Sequence, residues 1–116
     1  LFLDKQAQAA ADVFAQALKE DPANTDIRYN DALALHVAGK DASASEVLQN
    51  IAATERNETV ELLWGDVAEK QGEFKDAVNH MQAAVQLNPS EQNIYALTVE
   101  LLRHWTWKPA TEIAEY

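Results

Sequence analysis

The sequence predicts an all-α fold, an α-solenoid in which about seven helices stack as antiparallel pairs. Small residues recur with steps of 34, 33 and 33 along the chain, at Ala10, Ala44, Ala77 and Ala110. Glycine or proline separates segments of roughly 13 to 15 residues that have helical periodicity. Strands are not expected, because period-two alternation and Asn-Gly or Asp-Gly hairpin signals are absent.

The same period recurs in rarer residue types. Gly39 and Gly72 are 33 residues apart, and Pro22 and Pro89 are separated by two periods. Alanine is common in this chain, so its recurrence alone would be weak evidence, but there are only three glycines and three prolines. A helix pair of this size cannot bury its apolar face alone, so we expect neighbouring pairs to stack into a right-handed solenoid.

The first three helices are predicted at residues 3–20, 26–38 and 41–53. The first ends before Pro22, because proline cannot continue the hydrogen bonds of a helix. Gly39 is the residue type expected just beyond the end of the second. Asp41 is suited to be the N-cap of the third, which carries Leu48 and Ile51 toward the core.

The remaining helices are predicted at residues 60–71, 74–87, 91–104 and from 109 onward. Asn57 and Ser90 precede two of them and are favourable N-cap residues. Gly72 ends the first of these helices, and Pro109 is well placed in the first turn of the last.

These helices group into a single domain covering residues 1–116. Residues 3–22 form the orphan second helix of a pair, residues 24–57 and 58–91 form two full pairs, and residues 92–116 form an incomplete pair. Both ends then leave an apolar helix face uncovered. We therefore expect either that the chain is a piece of a longer array or that its ends self-associate.

The unit at residues 58–91 carries the most complete motif. Gly65 stands where two helices would approach closely, and Gly72 and Phe74 fit the turn between them. The second helix and its exit fit at Ala77, Met81, Ala84 and Pro89. This unit resembles the tetratricopeptide repeat, whose pattern is W-x2-L-G-x2-Y, then A-x3-F, then P. It departs from the pattern at three positions, which are occupied by Glu61, Trp64 and Ala68.

The resemblance implies a non-catalytic interaction scaffold whose first helices line a concave groove for a peptide or a partner helix. The implied groove residues are Tyr29, Leu33, His36, Leu62, Asp66, Glu69, Tyr95, Val99, Leu102 and Arg103. One subclass of the family binds C-terminal carboxylates through Lys and Asn at groove positions. That clamp is absent here, because the corresponding positions hold other residue types.

The net charge of the chain narrows the classes of molecule that it is expected to bind. The chain has 9 Lys and Arg residues against 19 Asp and Glu residues, a net charge of −10 at pH 7. Such a charge repels nucleic acids and anionic membranes, so a basic or amphipathic protein segment is the better partner. The chain contains no cysteine, which excludes thiol catalysis but leaves the compartment open.

No catalytic motif, cofactor site or metal site is expected. His36, His80 and His104 lie on three different helices, without the spacing of metal ligands. Asp76 with His80, and Glu100 with His104, are spaced i,i+4. Such a pair could share an ion on a helix surface, but a surface polar pair is the preferred interpretation.

Two tryptophans stand near the end of the sequence. Trp105 and Trp107 flank the last turn between helices, where the other repeats carry glycine. Two interpretations stay open, which are packing at the corner and a contact surface for a further repeat or another subunit.

Overall fold

The computed structural model describes residues 2–105. They form six α-helices and one short 3-10 helix, with no strand among these residues. The helices are α1 (Phe2–Glu20), α2 (Thr25–Val37), α3 (Asp41–Gln49), α4 (Glu58–Lys70), α5 (Phe74–Leu87) and α6 (Glu91–Arg103), and the 3-10 helix is Ala53–Glu55. The predicted all-α fold is confirmed. The seventh predicted helix and Trp107 lie outside the described residues.

The helices are arranged in two layers. Consecutive helices pack against each other from α1 to α6, and α2 also contacts α4. The first layer therefore contains α2, α4 and α6, and the second contains α1, α3 and α5. The molecule is elongated, with extents of 53 × 34 × 23 Å.

The main core lies where α2, α3 and α4 meet. Its fully buried members are aliphatic: Ala32, Ala44, Leu48, Ile51, Val60, Leu63 and Val67. Tyr29, Leu35, Val47 and Trp64 pack against this cluster and are partly buried. The core holds α2 and α4 side by side.

No described helix is both long enough and apolar enough to cross a lipid bilayer.

Glycine has a definite structural role at two turns and one helix crossing. Gly39 and Gly72 have φ angles of 81° and 77°, a left-handed conformation that is unfavourable for residues with a side chain. Each follows a helix end where a backbone N–H closes back onto the last turn, as Glu73 does to the Ala68 carbonyl at 2.9 Å. A Cβ atom on Gly65 would lie 3.0 Å from Cγ of Met81, so α4 and α5 approach closely here.

The predicted caps Asn57 and Ser90 are confirmed. The side-chain oxygen of Asn57 accepts a hydrogen bond from the Val60 N–H at 3.0 Å, and Ser90 Oγ accepts one from the Asn93 N–H at 3.1 Å. Asn24 caps α2 in the same way through the Ile27 N–H. This last cap was not predicted, since the second helix was expected to begin later.

The third helix differs from its prediction at both ends. It ends at Gln49 rather than near residue 53, and its N-cap is Lys40 rather than Asp41. The early end has a physical cause in two arginines from outside the helix. The Arg56 side chain donates to the carbonyls of Ile51 and Gln49, and Arg28 donates to the carbonyl of Asn50. These bonds satisfy the carbonyl groups of the last helical residue, Gln49, and of the two residues after it, which stabilises the chain in its non-helical path.

Two departures from the repeat motif are connected in the structure. Glu61 is buried and lies 3.4 Å from Nδ1 of His80 on α5. The His80 ring stacks on Trp64 with a centroid separation of 4.4 Å. The expected Asp76–His80 pair is therefore replaced by a contact with α4. Ala68, in contrast, is a small buried residue against the core.

Candidate functional site

A cleft opens between α2 and α4 in the first layer. Its volume is about 450 Å³. Five of the ten groove residues implied by the resemblance line it, namely Tyr29, Leu33, His36, Leu62 and Asp66. Glu58, Thr59 and Leu63 complete the lining. The cleft is therefore half apolar and half polar, with two carboxylates among its lining residues.

Helical spacing explains why these residues face the same space. Tyr29, Leu33 and His36 are separated by one turn each on α2, and Leu62 and Asp66 are one turn apart on α4. The opposite faces of the two helices hold buried core residues such as Ala32 and Val67. Burial of the core faces therefore fixes the rotation of α2 and α4 and directs the other faces into the cleft.

Electrostatics make the cleft favourable for a cation. Burial raises the pKa of Asp66, while the nearby His36 and Arg103 act in the opposite direction. Burial also raises the pKa of Tyr29, and the Asp66 charge adds to the rise. The Asp66 shift shows that the nearby cations do not fully compensate for the desolvation of its carboxylate, whereas the raised pKa keeps Tyr29 a neutral phenol. A positively charged ligand group beside Asp66 would supply that compensation.

His36 stands at the edge of the cleft with a fixed orientation. Its Nδ1 atom lies 2.5 Å from Oδ1 of Asp41, the first residue of α3. The pair connects the end of α2 to the start of α3 across the Gly39 turn. The imidazole is thereby held as part of the cleft wall.

The other predicted groove residues on α4 and α6 divide into two groups. Glu69 and Arg103 form an ion pair at 3.8 Å, so their charges are partly compensated within the protein. Tyr95 and Leu102 are 69% and 64% exposed, and Val99 is partly buried. These residues lie along α6 and do not line the α2–α4 cleft. Trp105 is 66% exposed.

Polar contacts tie α4 to α6 at both ends. At the N-terminal ends, the Asn93 side chain donates to Glu58 at 2.6 Å, and Asn88 donates to the same carboxylate at 3.0 Å. At the C-terminal ends, Nε2 of His104 lies 2.5 Å from Oε1 of Glu69. Side-chain contacts therefore connect α4 to α6 at both ends, whereas an open cleft lies between α2 and α4.

The sequence analysis missed one residue and one contact at these ends. Glu58 precedes the groove positions by one turn, and it was not singled out. Glu100 and His104 were expected to form a surface polar pair, but Glu100 is buried, and the approach of Glu69 to them was not predicted. Glu69 and His104 are 35 residues apart, and their proximity depends on the axial register of α4 and α6. No local sequence signal specifies that register.

Comparison with known proteins identifies the family. A family model described as tetratricopeptide repeat matches residues 1–63, which is more than half of the chain. The chain belongs to the tetratricopeptide repeat family. The match covers the first half of the chain, although the motif read by eye is most complete at residues 58–91. No curated protein matches the sequence. Tetratricopeptide repeats generally mediate protein–protein interactions and are typically non-catalytic scaffolds.

Proposed function

We propose that this tetratricopeptide repeat protein is a non-catalytic scaffold that binds a peptide or protein segment along the layer of α2, α4 and α6. The observation that carries the proposal is the 450 Å³ cleft between α2 and α4. A cavity of this size accommodates one or two side chains of a bound segment. The family's general role in protein interaction supports the same conclusion.

The lining of the cleft indicates the chemistry of the ligand. Tyr29, Leu33 and Leu62 provide apolar surface, and Asp66 provides a partly buried carboxylate whose pKa is raised by desolvation. A segment with an apolar side chain next to a lysine or arginine would satisfy both. The net charge of −10 would also accelerate the approach of a basic ligand.

A peptide-display selection against the purified protein tests this proposal. The selected peptides should be enriched in an apolar residue adjacent to a basic one. Tyr29→Ala and Asp66→Asn should each weaken binding of the best peptide by about tenfold, since each removes a group worth about 1.4 kcal/mol. Isothermal titration calorimetry would measure the dissociation constants.

The matched control lies on the outer surface of α5. Lys75, Asn79 and Gln86 are exposed there, away from the residues that line the cleft. Asn79→Ala should leave the affinity unchanged. If no peptide is selected, or if Tyr29→Ala and Asp66→Asn bind as tightly as the wild type, the groove proposal is wrong.

A second candidate function is self-association through the ends of the array. Exposed apolar side chains on and after α6 favour it: Ile94, Tyr95, Leu101, Leu102 and Trp105. At the other end, a cleft of about 360 Å³ between α1 and α2 is lined mainly by apolar residues, including Phe14 and Val37. In this alternative Trp105 and Trp107 belong to the subunit contact.

Light scattering distinguishes the two candidates. Self-association would give a mass above that of one chain that falls on dilution, and Trp105→Ala would lower it. A mass equal to one chain at all concentrations would eliminate the assembly function while leaving the peptide groove untouched.

A further inference from the structure

Three potential metal ligands converge at the C-terminal ends of α4 and α6. Glu100 and His104 are one turn apart on and just after α6, and Glu69 is in the last turn of α4. One ligand atom from each lies within 4.8 Å of the other two. Nε2 of His104 is 3.2 Å from Oε2 of Glu100 and 2.5 Å from Oε1 of Glu69.

Glu100 is a buried carboxylate without a hydrogen-bond donor among the described residues. Its side chain is 1% exposed, and neither of its oxygens receives a hydrogen bond of acceptable geometry. The nearest positive groups are the imidazole of His104 at 3.2 Å and the Arg103 guanidinium at 3.6 Å. Burying a carboxylate in this way is costly, and coordination of a cation would offset that cost.

The imidazole is held in a fixed orientation for this role. The Phe74 ring stacks on His104 with a centroid separation of 3.6 Å and an angle of 23° between the planes. This contact directs Nε2 toward both carboxylates. A pre-oriented ring loses little conformational entropy when it becomes a ligand.

The charges around the cluster are compatible with a divalent cation. Two carboxylates face one arginine, and Arg103 is 53% exposed, so its side chain has room to turn toward solvent. The C-terminal ends of two helices also place partial negative charge at this point. A cation therefore meets a negative environment.

We propose that Glu69, Glu100 and His104 form a site for a divalent transition metal, with Zn²⁺ as the best fit. One imidazole and two carboxylates suit zinc better than magnesium or calcium, which prefer oxygen ligands alone. At zinc–ligand distances of about 2.0–2.2 Å, tetrahedral ligands are roughly 3.3 Å apart. The Glu100–His104 pair already has that spacing, and the partly exposed Glu69 needs to withdraw by about 1 Å.

The proposed ion would join α4 to α6 directly. Both helices belong to the layer of α2, α4 and α6, so the metal would set their separation next to the α2–α4 cleft. Three protein ligands would leave a fourth position open to water. This inference does not depend on the peptide-binding proposal, because it requires only the side chains at the helix ends.

Equilibrium dialysis of the full chain against Zn²⁺, followed by elemental analysis, tests the site. One Zn²⁺ per chain is expected. Glu69→Gln, Glu100→Gln and His104→Gln should each weaken binding by more than the roughly 10–100-fold that loss of an outer-shell partner costs. Circular dichroism would establish that each variant is folded. Replacing zinc with Co²⁺ should give the visible absorption of a tetrahedral nitrogen and oxygen site.

His80→Gln is the matched control. His80 also stacks on an aromatic ring and contacts a carboxylate, but it has only one such partner, Glu61. This variant should bind Zn²⁺ as the wild type does. Absence of bound zinc, or zinc binding that survives His104→Gln and Glu100→Gln in folded protein, would overturn the proposal.

Discussion

At the scale of single residues, Glu100 is a charged group held away from water. Burial raises its pKa to about 7, and the adjacent Glu69 carboxylate adds to the rise, while His104 and Arg103 oppose it. Burial alone would raise the pKa of Glu69 as well, but the neighbouring Glu100 and His104 lower it overall. The pKa values of the two carboxyl groups therefore differ, and Glu100 binds a proton more readily than Glu69 does.

This asymmetry predicts a pH-dependent stability in metal-free protein. Because the folded-state pKa of Glu100 is raised from 4.5 to about 7, its stabilising contribution is complete below pH 4.5 and is lost as the pH rises through 7. Glu100→Gln should therefore raise the free energy of unfolding at pH 8 by roughly 2 kcal/mol relative to wild type. Urea unfolding in EDTA between pH 4 and 8 would measure it.

Glu46→Gln provides the comparison, because Glu46 is exposed on α3. The free energy of unfolding of the Glu46→Gln variant should depend on pH in the same way as that of the wild type. A Glu100→Gln variant that loses stability at pH 8, or keeps the wild-type slope, would contradict the assignment of a raised pKa to Glu100.

The crossing of α4 and α5 also depends on one residue. A Cβ atom on Gly65 would lie 3.0 Å from Met81 Cγ and 3.4 Å from the Ala77 carbonyl oxygen. Gly65→Val should destabilise the fold by roughly 1–3 kcal/mol through overpacking. Combining it with Met81→Ala should cost less than the sum of the two single changes, because the shortened side chain makes room. Strict additivity in thermal unfolding would show that the close contact is not responsible.

At the scale of helices, side-chain caps distinguish otherwise similar helix starts. Asn57 caps α4 with a hydrogen bond to the Val60 N–H, whereas Lys40 precedes α3 without a side-chain cap bond. Asn57→Ala should lower the free energy of unfolding by about 1 kcal/mol, and Lys40→Ala should change it little. Equal effects of the two substitutions in urea unfolding would argue against the capping account.

The helices were largely predictable because their limits are set locally. Gly39, Gly72 and Ser90 act through the backbone geometry and hydrogen bonds of their immediate neighbours. The end of α3 was not predictable in this way, since Arg28 and Arg56 reach its carbonyl groups from other parts of the chain. Local signals cannot identify such distant donors.

The site was predictable to a similar limit. The resemblance to the tetratricopeptide repeat implied that Tyr29, Leu33 and His36 on α2 face the groove. The repeat register then aligned these residues with Leu62 and Asp66 on α4. The cluster at Glu69 escaped prediction, because it depends on how far α4 is displaced along its axis relative to α6.

At the scale of the whole molecule, the excess of acidic residues should govern how ligands arrive. With a net charge of −10, the protein attracts a basic peptide over a distance that salt shortens. The association rate of a basic peptide should fall as NaCl rises from 20 to 500 mM, while the dissociation rate changes less. Stopped-flow fluorescence would separate the two rates, and an association rate insensitive to salt would exclude electrostatic steering.

The central claim is that a peptide binds between α2 and α4, and amide chemical-shift mapping tests it most directly. Titration of the ¹⁵N-labelled protein with a selected basic peptide should shift resonances around Tyr29, Leu33, Leu62 and Asp66. Resonances on the outer face of α5, at Lys75 and Asn79, should remain in place. Shifts confined to α5, or to the exposed end of α6 near Trp105, would contradict the groove and place the binding surface elsewhere.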